Sequence, residues 1–299
     1  MKVLITGGSG LIGTALTQFL LNKNVPVVHL TRYRNSKNDV KTYEWDWEKS
    51  YIDENCFNNV THIVHLAGAG IADKAWTTKR KNTIVKSRVL TSRLILNAIK
   101  KNNIKIQTFI SASGIGYYGA ITNEKIYTEL DKSNNDFISD CCIQWENSAD
   151  HFNDICRVVK FRLGIVLNKN EGVLPKISRM IQKGTGSPLG NGIQYMPWIH
   201  LEDAIMLFWH ALTDDKLKGT YNAVASEHVN NRHFTHKIAT TLNKKIRLPN
   251  LPSFVLKFIY GELADILLNG VKVSNEKVIQ TNFQFKFDKL EDALVEIYK

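Results

Sequence analysis

The stretch VLITGGSGLIG, residues 3–13, constrains the fold of this chain more than any other. A short β-branched apolar run ends directly in glycines. Gly7, Gly10 and Gly13 then repeat at G-x-x-G-x-x-G spacing, ahead of a helical pattern with Leu11, Ala15, Phe19 and Leu20 on one stripe. Glycines let the backbone turn tightly and approach a pyrophosphate, while the following helix offers N–H groups and the positive end of its dipole. A glycine triplet alone also makes ordinary turns, but the strand–turn–helix context points to a dinucleotide. Gly7, Gly10, Leu11, Ile12 and Gly13 are the expected phosphate cradle.

The next segments extend that unit. VPVVHLT (25–31), THIVHLAG (61–68), IQTFISAS (106–113) and RVVKFRLGIVL (157–167) read as strands, with GTYNAV (219–224) as a last one. Between them lie a long polar helix pattern to about Lys101, a helix from Phe137 to Ile155, and WIHLEDAIMLFWHAL (198–212), which opens strand-like and continues as a helix. Strands without polar alternation, separated by helices, predict a parallel sheet covered on both faces and doubly wound. After residue 167 the rhythm changes. KGTGSPLGNG (183–192) reads as a loop, and from about residue 226 come short helices and loops with Pro249 and Pro252.

The end of the second strand decides which dinucleotide fits. An Asp or Glu there would bind a ribose 2′-hydroxyl. This chain has Thr31-Arg32, then Arg34, and its next carboxylate, Asp39, is too far along. A guanidinium can fork onto a 2′-phosphate that a carboxylate would repel, so NADP is expected over NAD. Leu66, Ala67 and Gly68 close the strand at 61–68, where small residues leave room for the adenosine half.

Composition narrows the rest. The chain has 299 residues, 43% of them hydrophobic, enough for one large domain or a domain with an appendage. Its 39 basic and 28 acidic residues leave +11. The basic residues are scattered and not interleaved with aromatics, which argues against nucleic acid and suits an anionic small ligand. Cys56, Cys141, Cys142 and Cys156 form no CxxC and have no zinc-finger histidine, so no metal is expected. With neither a signal-peptide pattern nor an apolar run of membrane-spanning length, a reduced, cytoplasmic protein without membrane partners is expected.

GGSGLIG, HLAG, SASGIGYYG and WIHLEDA, in this order, resemble the extended short-chain dehydrogenase/reductases. IADKAWTTKRKNTIVKSRV, QWE, GSPLGNG and LPSFVLKFIYGELADILLNGVKV resemble more narrowly an atypical branch, the NAD(P)-dependent epimerase-family proteins with a small C-terminal domain of unassigned role. The resemblance runs nearly end to end. It implies a Rossmann-type NADP-binding domain over 1–167 plus about 193–224. A smaller, mostly helical substrate domain would comprise 168–192 and 225–299. It also implies an NADP(H)-dependent oxidoreductase or epimerase-like enzyme acting on a small molecule, or a non-catalytic NADP(H) sensor, with the oligomeric state, a homodimer included, left open. In such enzymes Ser, Tyr and Lys serve catalysis, the last two at i and i+4 on one helix face.

Here the resemblance breaks. Ser113 matches the Ser, but in SDCCIQWE Cys141 falls at the Tyr place and Trp145 at the Lys place; a shift of one residue gives Cys142 and Glu146. Neither register restores the pair. The two adjacent cysteines diverge by about 100° on a helix and read as packing. Tyr117 and Tyr118, on the loop after Ser113, are the remaining candidates for a proton donor. Arg88 stands where an Asn is common and is expected to bring a positive charge to the cofactor. Val166 is expected at the carboxamide of the nicotinamide. The resemblance gives His200 and Asp203 a mainly structural role.

Overall fold

The computed structural model describes residues 1–32 and 40–299; Arg34 and Asp39 lie outside them. The chain opens with strand β1 (Val3–Thr6), helix α1 (Leu11–Asn22), β2 (Val27–Thr31), β3 (Lys41–Asp46), β4 (Tyr51–Ile52) and β5 (His62–His65). Then follow α2 (Thr78–Lys101), β6 (Thr108–Gly114), a 3₁₀ turn (Ile115–Tyr118), β7 (Ile126–Tyr127), α3 (Phe137–Asp150), β8 (Arg157–Leu163) and β9 (Ile165–Leu167). The remainder comprises α4 (Leu174–Gln182), β10 (Trp198–His200), α5 (Leu201–Thr213), β11 (Gly219–Ala223), α6 (Asn231–Thr241), α7 (Ser253–Tyr260), α8 (Ala264–Leu268), β12 (Lys272–Val273), α9 (Glu276–Ile279) and α10 (Leu290–Tyr298).

The main sheet has the order β11-β8-β6-β5-β1-β2-β3-β4. Its pairings are parallel except β3 with β4. The chain winds outward from β1 through β2 and β3, returns to β5, and winds the other way. The strand order therefore reverses between β1 and β5, and in open α/β sheets ligands bind beyond the carboxyl ends of the strands at such a point. Leu16, Leu20, Phe161 and Phe208 pack on one face, under α1 and α5. Ile95, Ile99, Phe109 and Phe152 pack on the other, under α2 and α3. A further core gathers Leu174, Trp198, Phe234, Ile238, Leu290 and Leu294, drawing α4, α6 and α10 together.

The structure refines the sequence reading at several points. KTYEWD forms β3, whose burial alternates, unlike the wholly buried inner strands. The run 157–167 is two strands. Gly164 N–H still reaches Ala223 O (3.1 Å), but Ile165 N–H already reaches Pro197 O (2.8 Å). The crossing is tight, because a Cβ at Gly164 would lie 2.8 Å from Pro197 O. The helix beginning at Phe137 ends at Asp150, and turns then carry Phe152 onto Phe109 with ring centroids 3.8 Å apart. GTYNAV is the last strand of the main sheet, but β12 follows it and pairs with β7. His200 caps α5 by accepting from Glu202 N–H, and Asp203 accepts the backbone N–H groups of Lys286 and Phe287. That pair ties the C-terminal segment to the sheet's helical cover. No helix among the described residues is long and apolar enough to cross a membrane.

Two outcomes follow from this packing. Phe109 and Phe152 are fully buried, so Phe152→Ala should lower unfolding free energy by about 3–5 kcal/mol in urea titrations. Burial also pushes His29, His62 and His65 down to about 4. An unfolded histidine titrates near 6.5, so between about pH 4 and 6.5 the unfolded chain holds the extra protons. Stability should be complete above pH 6.5 and fall with acidification, by up to roughly 1.4 kcal/mol per pH unit for each histidine. A denaturation midpoint that does not move between pH 7 and 5 contradicts this.

Candidate functional site

The glycine turn sits at the sheet's switch point. Gly7 has φ +71°, and a Cβ there would lie 2.9 Å from the carbonyl carbon of Leu66. Only glycine suits that conformation and that approach. Gly13 brings the first turn of α1 onto the Gly7 carbonyl, where a Cβ would collide. Thr6 Oγ1 accepts Leu66 and Ala67 N–H (3.2 Å each), fastening the end of β5 to β1. Among the described residues no side chain caps α1, and its first turn carries no acid. By contrast, Asp136 caps α3, and Glu202 and Asp203 sit in the first turn of α5. The amino end of α1 thus keeps donors and positive dipole for an anion, which fits the pyrophosphate of a dinucleotide.

The other expected cofactor residues gather around this turn. A Cβ at Gly172 would lie 3.8 Å from Leu11 Cδ2 and 3.5 Å from Val166 O, so β9 reaches the turn from the far side. Thr31 ends β2 and Arg32, exposed, follows it. Arg88 is buried beneath Gly68, whose added Cβ would lie 2.8 Å from the Arg88 Cζ. Its Nη1 donates to Ala69 O (3.0 Å) and Ile84 O (2.9 Å), and its guanidinium lies 4.7 Å from the Trp145 ring centroid. The Nε of Arg88 and the Nε1 of Trp145 are buried without a hydrogen-bond partner in the structure.

Beyond the turn lies a polar row. In the sheet register, Ser113 of β6 pairs with Arg162 of β8, and Arg162 pairs with Asn222 of β11. Glu146 descends on this row from α3. Its Oε1 accepts Ser113 Oγ–H (2.8 Å) and Arg162 Nε–H (2.7 Å), and its Oε2 accepts from Arg162 Nη2 (2.9 Å). Arg162 Nη1 donates to the Tyr118 hydroxyl (3.0 Å), which lies within 2.7 Å of Asn222 Oδ1 and 2.9 Å of Thr128 O. Both charged side chains are almost wholly buried. Burial opposes the Arg162 charge, but the Glu146 carboxylate outweighs it and raises the guanidinium above its ordinary range.

The two tyrosines divide in role. Tyr118 is buried, and burial pushes its phenol up to about 12. Tyr117 is half-buried, with its ring centroid 3.3 Å from Arg162 Cζ. Cys141 and Cys142 are buried, and burial raises both thiols, so neither is poised as a thiolate. Glu146, Arg162 and Asn222 had no assigned role in the sequence reading. The one-residue shift that set Cys142 and Glu146 at the Tyr and Lys places was the available signal for Glu146. Arg162 and Asn222 needed the strand order, because only adjacent strands put them in one row.

Residues 3–224 match the NAD dependent epimerase/dehydratase family, and residues 251–297 match a domain of unknown function, DUF1731. The chloroplastic SDR39U1 homolog of Arabidopsis thaliana, an epimerase family protein, is 31% identical over 301 residues, covering 98% of this chain and 86% of the relative. The crystal structure of human epimerase family protein SDR39U1 (isoform 2) with NADPH superposes with a TM-score of 0.88 at 30% identity, covering 99% of each chain. A nucleoside-diphosphate sugar epimerase from Corynebacterium glutamicum superposes with a TM-score of 0.80 at 26% identity, covering 99% of this chain and 58% of that one.

The buried pair should respond asymmetrically to substitution. Glu146→Ala leaves the Arg162 charge uncompensated and should cost about 3–5 kcal/mol in chemical denaturation. Adding Arg162→Met to that variant should restore a substantial part, because no charge is then stranded. A double variant less stable than Glu146→Ala would show that the pair does not carry this energy.

Proposed function

Since the chain belongs to the NAD dependent epimerase/dehydratase family, we propose that it is an NADP(H)-dependent oxidoreductase or epimerase-like enzyme acting on a small molecule. The observation that carries this reading is the uncapped amino end of α1 behind Gly7, Gly10 and Gly13 at the point where strand order reverses. In this proposal Gly7, Gly10, Leu11, Ile12 and Gly13 hold the pyrophosphate, Leu66, Ala67 and Gly68 face the adenosine half, and Val166 meets the carboxamide. Arg88 contributes positive charge from beneath Gly68. Thr31 and Arg32 receive the 2′-phosphate, a preference supported by the NADPH in the human SDR39U1 structure. The bound cofactor would supply hydride exchange; the chain's own residues bind, orient and handle the proton.

We place the substrate at the carboxyl end of β6, beside Ser113. Tyr117 is the better proton donor of the two tyrosines, since the Tyr118 hydroxyl is held by Arg162, Asn222 and Thr128. The dinucleotide half spans 1–167 and about 193–224, and the substrate half 168–192 and 225–299. A second reading, an NADP(H)-binding sensor without turnover, draws on one observation: neither register of SDCCIQWE supplies the usual Tyr and Lys, and Cys141, Cys142 and Trp145 are buried.

Calorimetric titration should give NADPH a 10- to 100-fold advantage over NADH, roughly the worth of one charged hydrogen bond of 1.5–3 kcal/mol. Arg32→Ala should remove most of that advantage. Equal affinities in the unaltered protein would overturn the cofactor assignment. With a substrate found by screening sugars, quinones and small carbonyls, Ser113→Ala and Tyr117→Phe should each lower turnover by roughly 10²- to 10⁴-fold while NADPH affinity stays within a few-fold. Tight NADPH binding without turnover across the screen would favour the sensor.

A further inference from the structure

The Ser113 hydroxyl has one proton, and it is donated in a hydrogen bond to Glu146. Glu146 Oε1 lies 2.8 Å from Ser113 Oγ, and the carboxylate is fixed on its other flank by two bonds from Arg162, at 2.7 and 2.9 Å. An ionised carboxylate accepts only, so the direction of the Ser113 bond is not a choice of rotamer. The guanidinium in turn cannot turn away. Its Nη1 is engaged by Tyr118, and its plane lies on the Tyr117 ring. Ser113 and Glu146 are both buried, so water does not compete for the proton.

We infer that Glu146 is a positioning residue that makes Ser113 an obligate hydrogen-bond acceptor, so that the group it selects in the substrate is a hydroxyl: the chain is built to bind secondary alcohols in preference to the matching ketones. This rests on the oxidoreductase reading above and adds to it the form of substrate that the site recognises. A Ser that donates to a carbonyl oxygen would first have to break its bond to a carboxylate that Arg162 holds in place by two further bonds. An alcohol instead donates its own proton to the lone pairs that Ser113 Oγ retains. Orientation by a buried partner is worth more here than on an open surface, because an unpaired buried donor or acceptor carries its full desolvation cost.

The test uses dead-end complexes, with cyclohexanol titrated into NADPH-loaded protein and cyclohexanone into NADP⁺-loaded protein, each variant compared with the unaltered chain in the same cofactor state. Ser113→Ala should weaken cyclohexanol roughly five- to tenfold, the worth of one hydrogen bond, and leave cyclohexanone unchanged. Glu146→Gln can present an amide N–H to Ser113 Oγ and free the serine proton. It should weaken cyclohexanol by a similar factor and strengthen cyclohexanone. A merely structural role for Glu146 would move both probes in the same direction. Equal losses for the two probes with Ser113→Ala, no response from either, or no saturable cyclohexanol binding to NADPH-loaded protein would overturn the inference while leaving the oxidoreductase reading in place. Failure of NADPH itself to bind would remove both.

Discussion

Glu146 and Arg162 form the buried contact on which the polar row at the carboxyl end of β6 depends. Each is nearly dry, and removing either would leave the other's charge without its partner in the interior. Their pairing makes four separate pieces of chain converge. Glu146 belongs to α3, Arg162 to β8, Tyr118 to the 3₁₀ turn after β6, and Asn222 to β11, the sheet's end strand. Because the pair is bidentate, it fixes orientation as well as distance. Ser113 inherits that fixity, and so does the Tyr117 ring lying on the guanidinium. A buried ion pair is weak evidence of stability, since hydrophobic residues of similar volume often do as well. Its value here lies in geometry: it sets the direction of one hydroxyl at the carboxyl end of β6.

The glycine turn and the polar row use opposite physics. At the glycine turn what is presented is backbone: N–H groups that no described side chain caps, a helix dipole, and glycines that let strands and helix close in until no Cβ would fit. At the polar row, side chains do everything and the backbone merely spaces them. Parallel register carries Ser113, Arg162 and Asn222 on adjacent strands, and a helix above supplies the counter-charge. The two regions meet near Arg88, which lies beneath Gly68 on one side and against Trp145 of α3 on the other.

This division explains what could be seen in the sequence. The glycine turn is local. Strand, turn and helix fall within 22 residues, so spacing alone identified it, and the doubly wound sheet followed from apolar strands alternating with helices. The row is not local. Ser113 and Asn222 are separated by four intervening strands and three α-helices in the chain, and only the order β6-β8-β11 puts them in one row. β3 was missed for a related reason. KTYEWD alternates and carries charge, as befits a strand near the sheet's margin, and lacks the continuous apolar run that marked the inner strands. The break at Gly164 was hidden because residues 157–167 read as one continuous strand pattern; what changes there is the partner strand, a tertiary fact.

The departure at SDCCIQWE then takes on a physical meaning. In neither register does SDCCIQWE supply the phenol and cation of the resembling enzymes, yet the surroundings of α3 are not apolar. Guanidinium groups come from two other elements: Arg88 of α2, 4.7 Å from the Trp145 ring centroid, and Arg162 of β8, paired with Glu146. Phenols return as Tyr117 and Tyr118 from the turn after β6. A carboxylate is also present, because Glu146 follows Trp145 directly and, on a helix, the next residue points about 100° away, toward the sheet. A lysine at 145 would stand beside Arg88 in a buried space, and two unscreened cations at that distance repel strongly. The aromatic ring at 145 and the guanidinium at 88 therefore belong together: an arginine can occupy this position because the residue beneath it offers a π-face instead of a second charge.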